Sequence, residues 1–272
     1  MDNNLQIRPW PMRIPYLTMR ERLYYRYYGA RADKFQYLYR NASLALAPKV
    51  SLGLISTDVS HRWIALTGFY ELSLSLIIAK LAKKGGVLVD AGANFGYYSC
   101  LWAGVNPGNR VIAFEPSPIC IPHFKFNINK NGFNQRIQVK EMALGKENGV
   151  CGFFLGLPGQ TGWGGLVITD DKRQVEVQVE RLDSIYNVID RSGYIDVLKI
   201  DVEGADTWVI FGAEKLLREK RIRHIFFEEN LGRMEPLNIG RYEAVDFLSS
   251  HGYRVKYLTD KILHATPLKK SA

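Results

Sequence analysis

The stretch VLVDAGANFGYYSC, residues 87–100, sets a short apolar run against an acid, then a turn of small residues, then apolar residues at helical spacing. That is the pattern of a buried strand running through a tight turn into a helix. The same alternation continues outward. The spacing predicts strands at 111–114, 137–139, 195–200, 222–227 and 253–258, with helices at 94–105, 117–131, 182–191, 205–217 and 241–250. A helix over 70–84 precedes the first strand and stops at Gly85-Gly86. Two further strands, 151–157 and 175–179, flank a glycine-rich loop. Short apolar strands alternating with helices imply a mostly parallel sheet covered on both faces.

In such sheets ligands bind beyond the carboxyl ends of the strands. Asp90 ends the first strand, and Gly92 and Gly96 remove side chains where backbone and ligand are expected to approach. The spacing G-A-N-F-G is not the G-x-G-x-x-G of dinucleotide enzymes, and Asp90 would repel a pyrophosphate, which argues against a nicotinamide dehydrogenase. A zwitterion with an ammonium suits the turn better, as in the amino-acid half of S-adenosylmethionine. Glu115 follows Asp90 by 25 positions, at the end of the next strand, where an acid gripping a ribose diol is expected. Taken singly, Asp90 also reads as a helix-capping acid and Glu115 as a surface acid at a turn.

With these residues in view, the sequence resembles the FkbM-type family of class I S-adenosylmethionine-dependent methyltransferases. The matching pieces are GFYELSLSLIIAKLAKKGGVLVDAGANFGYYS, VIAFEPSP, EMALG, RLDSI, IDVLKIDVEGADTWVIFGAEKLL and IFFEEN, in that order over residues 68–230. The resemblance implies an α/β fold: a Rossmann-like seven-stranded, mostly parallel sheet with a reversed last strand, for which 253–258 and 262–265 supply the antiparallel pair. It implies S-adenosyl-L-methionine as cofactor and methyl transfer to oxygen, on a hydroxyl of a glycan or secondary metabolite. It carries the cofactor loop onto Asp90, Gly92, Ala93, Asn94 and Gly96, and the ribose acid onto Glu115 with Ser117 beside it. Met142 and Ala143 fall at the adenine border, and Glu71, after Tyr70, near the methionine end. Pro118 and Pro122 depart from a regular second crossover helix, which can start as late as Ile121.

Methyl transfer from a sulfonium is an in-line displacement, and an aliphatic hydroxyl needs help to lose its proton. Asp201 and Glu203 end the fourth strand of the sheet order, and Glu228 and Glu229 the fifth. Asp201 is the first choice for general base or metal ligand, with Glu203 and Glu228 next. A divalent metal on Asp201 and Glu228 is an option that carboxylates permit. The plainer readings are cofactor positioning for Asp201, helix capping for Glu203 and a solvated charge for Glu229. Lys199 shares a strand face with Asp201 and reads as its ion-pair partner. The loop PGQTGWGG, 158–165, is placed over the acceptor pocket as a lid with Trp163 as a stacking surface, a plain mobile hairpin being the alternative. The five histidines are scattered and read as structural, with His61 nearest the site.

The chain of 272 residues carries a net charge of +9, unevenly. Residues 1–50 hold nine Lys/Arg against three Asp/Glu, and seven of the fifteen tyrosines. This front is expected to form two short helices broken near Gly29, followed by strand or loop over 44–68. We therefore divide the chain into a basic, mainly helical extension, 1–60, and a methyltransferase domain, 61–272. Three readings compete for the extension: a cap over the substrate pocket that also helps form a homodimer, peripheral contact with an anionic membrane, and nucleic-acid contact. The last would suit an RNA 2′-O-methyltransferase, but no RNA-binding module is recognisable. A cofactor-fold module without catalysis is the non-enzymatic alternative. No run of 18 apolar residues and no signal-type segment occurs, and the cysteines Cys100, Cys120 and Cys151 fit neither a disulfide framework nor a zinc site. A cytoplasmic protein with reduced thiols is expected.

Overall fold

The computed structural model describes residues 8–167, 174–189 and 193–268. Its centre is a seven-stranded sheet of β1 (Val87–Ala91), β2 (Arg110–Phe114), β3 (Ile137–Lys140), β4 (Ile195–Ile200), β5 (Ile222–Glu228), β6 (Tyr253–Tyr257) and β7 (Ile262–Pro267). The spatial order is β3-β2-β1-β4-β5-β7-β6, and only β7 runs against its neighbours. This is the α/β class expected of a class I methyltransferase. Successive residues of β1 serve opposite faces. Leu88 packs with the helices Leu72–Ala82, Tyr97–Val105 and Cys120–Lys130, while Val87 and Val89 pack with Asp206–Phe211 and Glu243–Ser250. That two-sided burial is why the strands read as unbroken apolar runs. The helix expected to reach 191 is described as Leu182–Ile189, and residue 191 lies outside the described residues.

A second sheet lies beyond the carboxyl edge. Gly149–Phe154 pairs antiparallel with both Gln174–Glu180 and Gly165–Val167, and Ala143–Leu144 pairs parallel with the far side of Gln174–Glu180.

Several local expectations are corrected. Residues 44–68 are not simply strand or loop: Val59–Thr67 is a helix. The Asp58 carboxylate caps it through the Ser60 and His61 amides, and Gly68 at φ 87° ends it. Gly29 is no break, having helical φ/ψ within a run that passes from an α-helix (Leu17–Leu23) through a π-turn (Tyr24–Tyr28) into a 3₁₀ stretch ending at Asn41. The kink falls at Phe35. The helix predicted from 94 starts at Tyr97, because Asn94 (φ 52°) and Gly96 (φ 90°) are left-handed. The helix predicted over 205–217 is two, Asp206–Phe211 and Glu214–Arg218, split where the Asp183 carboxylate accepts the Lys215 and Leu216 amides. The helix after the second strand starts at Cys120, one residue before the latest start expected.

The N-terminal segment is built into the body. Leu44, Val50 and Leu52 join the core beneath Tyr97 and Trp102, and Met12, Tyr24 and Leu38 pack with Ala65 and Leu66 of the Val59–Thr67 helix. No single helix among the described residues is long and apolar enough to cross a membrane.

Candidate functional site

Parallel pairing in register sets Asp90 of β1 beside Lys199 of β4. The buried Lys199 ammonium lies 3.6 Å from Asp90 Oδ1 and 3.2 Å from Asp201 Oδ2, and donates to the Gly92 carbonyl at 3.3 Å. The Ser99 hydroxyl donates to Asp90 Oδ2 at 2.7 Å. Asp90 is thus fully buried and lines neither cavity described below. The expectation that it would hold a ligand ammonium is corrected: its carboxylate anchors Lys199. Gly92 (φ 75°) is required because a Cβ there would lie 1.9 Å from the Asp201 carbonyl oxygen. A Cβ on Gly96 would strike the Phe124 ring at 2.2 Å, so that glycine admits a neighbouring helix rather than a ligand.

Glu115 follows β2. Its carboxylate accepts the Asn94 amide at 2.6 Å and the Ser117 amide at 2.8 Å. Burial pushes it up to about 7, against those two hydrogen bonds. It lines a pocket of about 590 Å³ together with Phe114, Ala143, Leu144, Phe153 and Leu166. Met142 and Ser117, both expected here, are not in its wall. Met142 packs against the core, and the Ser117 hydroxyl accepts the Ile119 amide at 3.3 Å.

A larger open cavity of about 1730 Å³ adjoins it, sharing Gly92, Asn94, Gly162 and Asp201. Ala93 lines it as well. Four acids face this cavity around Lys199: Glu71, Asp201, Glu203 and Glu228. Sequence reasoning named all four, but not the crowding. Burial, then Asp201, raises Glu71 to about 7, Glu203 to about 8 and Glu228 to about 9. Glu71 accepts from the Tyr98 hydroxyl at 2.8 Å and hydrogen-bonds to Glu228. Arg233 Nε stands 3.7 Å from Glu203. The buried Asp206 carboxylate fixes the backbone beneath, accepting the Val202 amide at 3.3 Å and the Glu228 amide at 2.9 Å. Glu71 (φ 41°), Asn94 (φ 52°) and Glu203 (φ 55°) are all left-handed. Strained backbone of this kind costs about 1–3 kcal/mol per residue and gathers at functional sites. Glu229 turns away, accepting from the Tyr257 hydroxyl at 2.8 Å.

The opposite wall is aromatic, and sequence reasoning missed most of it. Tyr24 stacks on Trp63 at 5.9 Å and 8°, Tyr25 meets the same ring edge-on at 5.3 Å, and Trp63 meets Tyr70 at 5.6 Å. Trp163 faces the cavity as expected, with Arg233 over its ring at 5.7 Å. Its loop is anchored: Asp58 Oδ2 accepts from the Thr161 amide at 2.9 Å and hydroxyl at 2.8 Å, while Oδ1 caps the Val59–Thr67 helix. An Asp just before VSHRW is a helix-start signal that could have revealed this cap. His61 is buried, accepts the Ile55 amide at 2.8 Å, and is held down to about 4 by burial. Among the described residues no group of three His, Cys, Asp or Glu is arranged to hold a metal, and the Asp201 carboxylate already faces Lys199.

The family described as the methyltransferase FkbM domain matches residues 90–255. The AMB antimetabolite synthetase AmbE of Pseudomonas aeruginosa is 28% identical over 217 residues, covering 66% of this chain and 10% of AmbE. Methyltransferase sdnD of Sordaria araneosa is 25% identical over 160 residues, covering 47% of this chain and 60% of sdnD. Among solved structures, methyltransferase FkbM from Methylobacillus flagellatus KT aligns with 16% identity and a TM-score of 0.47, covering 88% of this chain and 60% of that one. The chain thus spans a tenth of the synthetase and about three fifths of sdnD.

Proposed function

Because the chain belongs to the family of methyltransferase FkbM domains, we propose that it is an S-adenosylmethionine-dependent O-methyltransferase acting on a hydroxyl of a glycan or secondary metabolite. The observation that carries this reading is the junction of a pocket holding Glu115 among apolar side chains with a cavity where Glu71, Asp201, Glu203 and Glu228 gather around Lys199. The lining of the smaller pocket suits an adenosine: Phe114, Leu144, Phe153 and Leu166 for the base, Glu115 for the ribose hydroxyls. At the junction, Asn94 Oδ1 is buried with no hydrogen-bond partner among the described residues, an acceptor that suits a ligand ammonium. The acids beyond it suit a sulfonium. When bound, S-adenosylmethionine supplies the methyl group as an electrophile.

The chain's residues do the rest. Asp201 and Lys199 fix the floor of the cavity. The aromatic wall and Trp163 offer stacking faces to an acceptor with apolar C–H surfaces. Glu228, rather than Asp201, whose carboxylate faces Lys199 at 3.2 Å, takes the acceptor's proton as the carbon–oxygen bond forms and the carbon–sulfur bond breaks. Its affinity for a proton comes from burial and from Asp201 and Glu71 nearby. A cation beside it favours its ionised form, bringing it into the range useful for a general base. Glu203 and Asp201 hold the acceptor's remaining hydroxyls. Phosphate-rich acceptors such as RNA fit poorly, since five acids line the cavity.

The test is transfer of labelled methyl from S-adenosylmethionine to a panel of hydroxyl acceptors. Glu228→Gln is expected to lower kcat by about 10²–10⁴-fold with donor binding retained. Unchanged kcat would remove Glu228 as the base. Calorimetry of folded protein with no heat on adding donor or demethylated product would remove the cofactor assignment.

A further inference from the structure

We infer that the outward stripe of the N-terminal helix docks on an anionic lipid bilayer, with the mouth of the acceptor cavity at its edge. The inference goes beyond the methyl-transfer reading and does not depend on it.

Leu17–Leu23 and its π continuation Tyr24–Tyr28 turn one side inward, where Tyr24 and Leu23 pack in the local core. The other side is exposed at Met19, Arg22, Tyr25 and Arg26, the last two following Arg22 by three and four positions. That stripe holds two guanidinium groups, a methionine and a tyrosine, and no acid. The neighbouring segment continues the character: Trp10, Tyr16 and Tyr27 are exposed by 75%, 69% and 52%. Among the described residues, six of the eighteen large hydrophobic side chains that stand exposed fall in residues 10–37. Such a cluster needs a partner, and its charge selects one. Arginines among amphipathic aromatic rings match the phosphates and the acyl boundary of an anionic leaflet.

Two other occupants fit less well. A second copy paired by two-fold symmetry would bring this arginine stripe against itself. An RNA acceptor would carry its own phosphates into the acid-lined cavity, whose wall includes Tyr25 of the stripe, whereas a leaflet keeps its phosphates outside, at the arginines. A bilayer remains at the rim.

The experiment is co-sedimentation of the full chain with phosphatidylcholine–phosphatidylglycerol vesicles and with pure phosphatidylcholine vesicles, over a range of salt. Binding to the mixed vesicles alone, weakening as salt rises, is expected. Arg22→Gln with Arg26→Gln, checked for an unchanged melting temperature, should reduce partitioning about thirty-fold, from the usual contribution of two surface cations. Tyr16→Ser with Tyr27→Ser should reduce it too. Equal binding to both vesicle types, no binding to mixed vesicles at low salt, or an arginine variant that partitions like the parent would each overturn the proposal. So would tighter binding to homopolymer RNA than to mixed vesicles. The salt series on the unsubstituted chain decides the matter even where a variant misfolds.

Discussion

The pocket beside Glu115 and the cavity beside Glu71 meet at Gly92, Asn94 and Asp201, yet they are built on opposite principles. In the pocket, the Glu115 carboxylate is satisfied by two backbone amides and stands among Phe114, Leu144, Phe153 and Leu166. In the cavity, Glu71, Asp201, Glu203 and Glu228 crowd around Lys199, and Glu71 and Glu203 sit on left-handed backbone. The pocket is a finished socket. The cavity stores repulsion that an incoming cation can relieve. The methyl donor is a molecule with both parts, an adenosine and a sulfonium, and the difference between the two regions follows the difference between its two ends.

Removing the central ammonium should break this contrast most severely. Lys199 lies between Asp90 and Asp201 and is itself buried. Lys199→Met leaves Asp90 buried and uncompensated, so urea denaturation should show a loss of about 3–5 kcal/mol. Glu115→Gln, which keeps the shape and an acceptor for one of the two amides, should cost about 1 kcal/mol. Equal losses would mean that the two regions do not differ in kind.

The second effect is graded by pH. Glu71, Glu203 and Glu228 sit at about 7, 8 and 9 in the folded chain, against an ordinary 4.5. Between those values the folded chain binds more protons than the unfolded one, so stability falls as pH rises from about 5 towards 9. Each proton difference costs up to about 1.4 kcal/mol per pH unit. S-adenosylmethionine, bearing a sulfonium, should flatten that fall by favouring the ionised acids. Its neutral thioether product should flatten it less. Melting temperatures measured across this range with each ligand decide it; identical slopes with both would show that the cavity does not respond to the cation.

How far the sequence alone discloses such a site follows from the same division. The donor side is local. Each of its elements is one strand and the turn after it, so GANFG, Glu115 and the acids after IDVLKI and HIFF could be placed by strand-end logic before any coordinates. What stayed hidden depends on register and on distant pairing. Asp90 was assigned to a ligand because its partner, Lys199, stands 109 positions away and is brought alongside only by the β1–β4 register. Gly96 was assigned to ligand approach because the Phe124 ring that requires it belongs to another helix. The aromatic wall joins Tyr24, Trp63 and Trp163 from three separated segments, the first expected as a mainly helical extension and the second as strand or loop. A helix with Asp58 as its cap was legible in principle; that the same carboxylate also holds the Thr161 loop was not.

The smallest expected effect is the sharpest test of stored repulsion. Glu203 carries two liabilities at once: a left-handed φ of 55°, and a buried charge raised to about 8 first by burial and then by Asp201. Its compensation is Arg233 at 3.7 Å, long for an ion pair. Asparagine tolerates left-handed backbone better than glutamate and brings no charge. Glu203→Asn should therefore raise stability by about 1 kcal/mol, while weakening binding of the sulfonium donor more than that of its thioether product. The same replacement at Glu115, whose backbone is not left-handed and whose oxygens each accept an amide, should lower stability and weaken both ligands alike. Paired denaturation curves and calorimetric titrations measure all four quantities. A destabilised Glu203→Asn chain, or one that loses both ligands in equal measure, would mean that the cavity acids are held at rest and that their crowding serves packing rather than the cation.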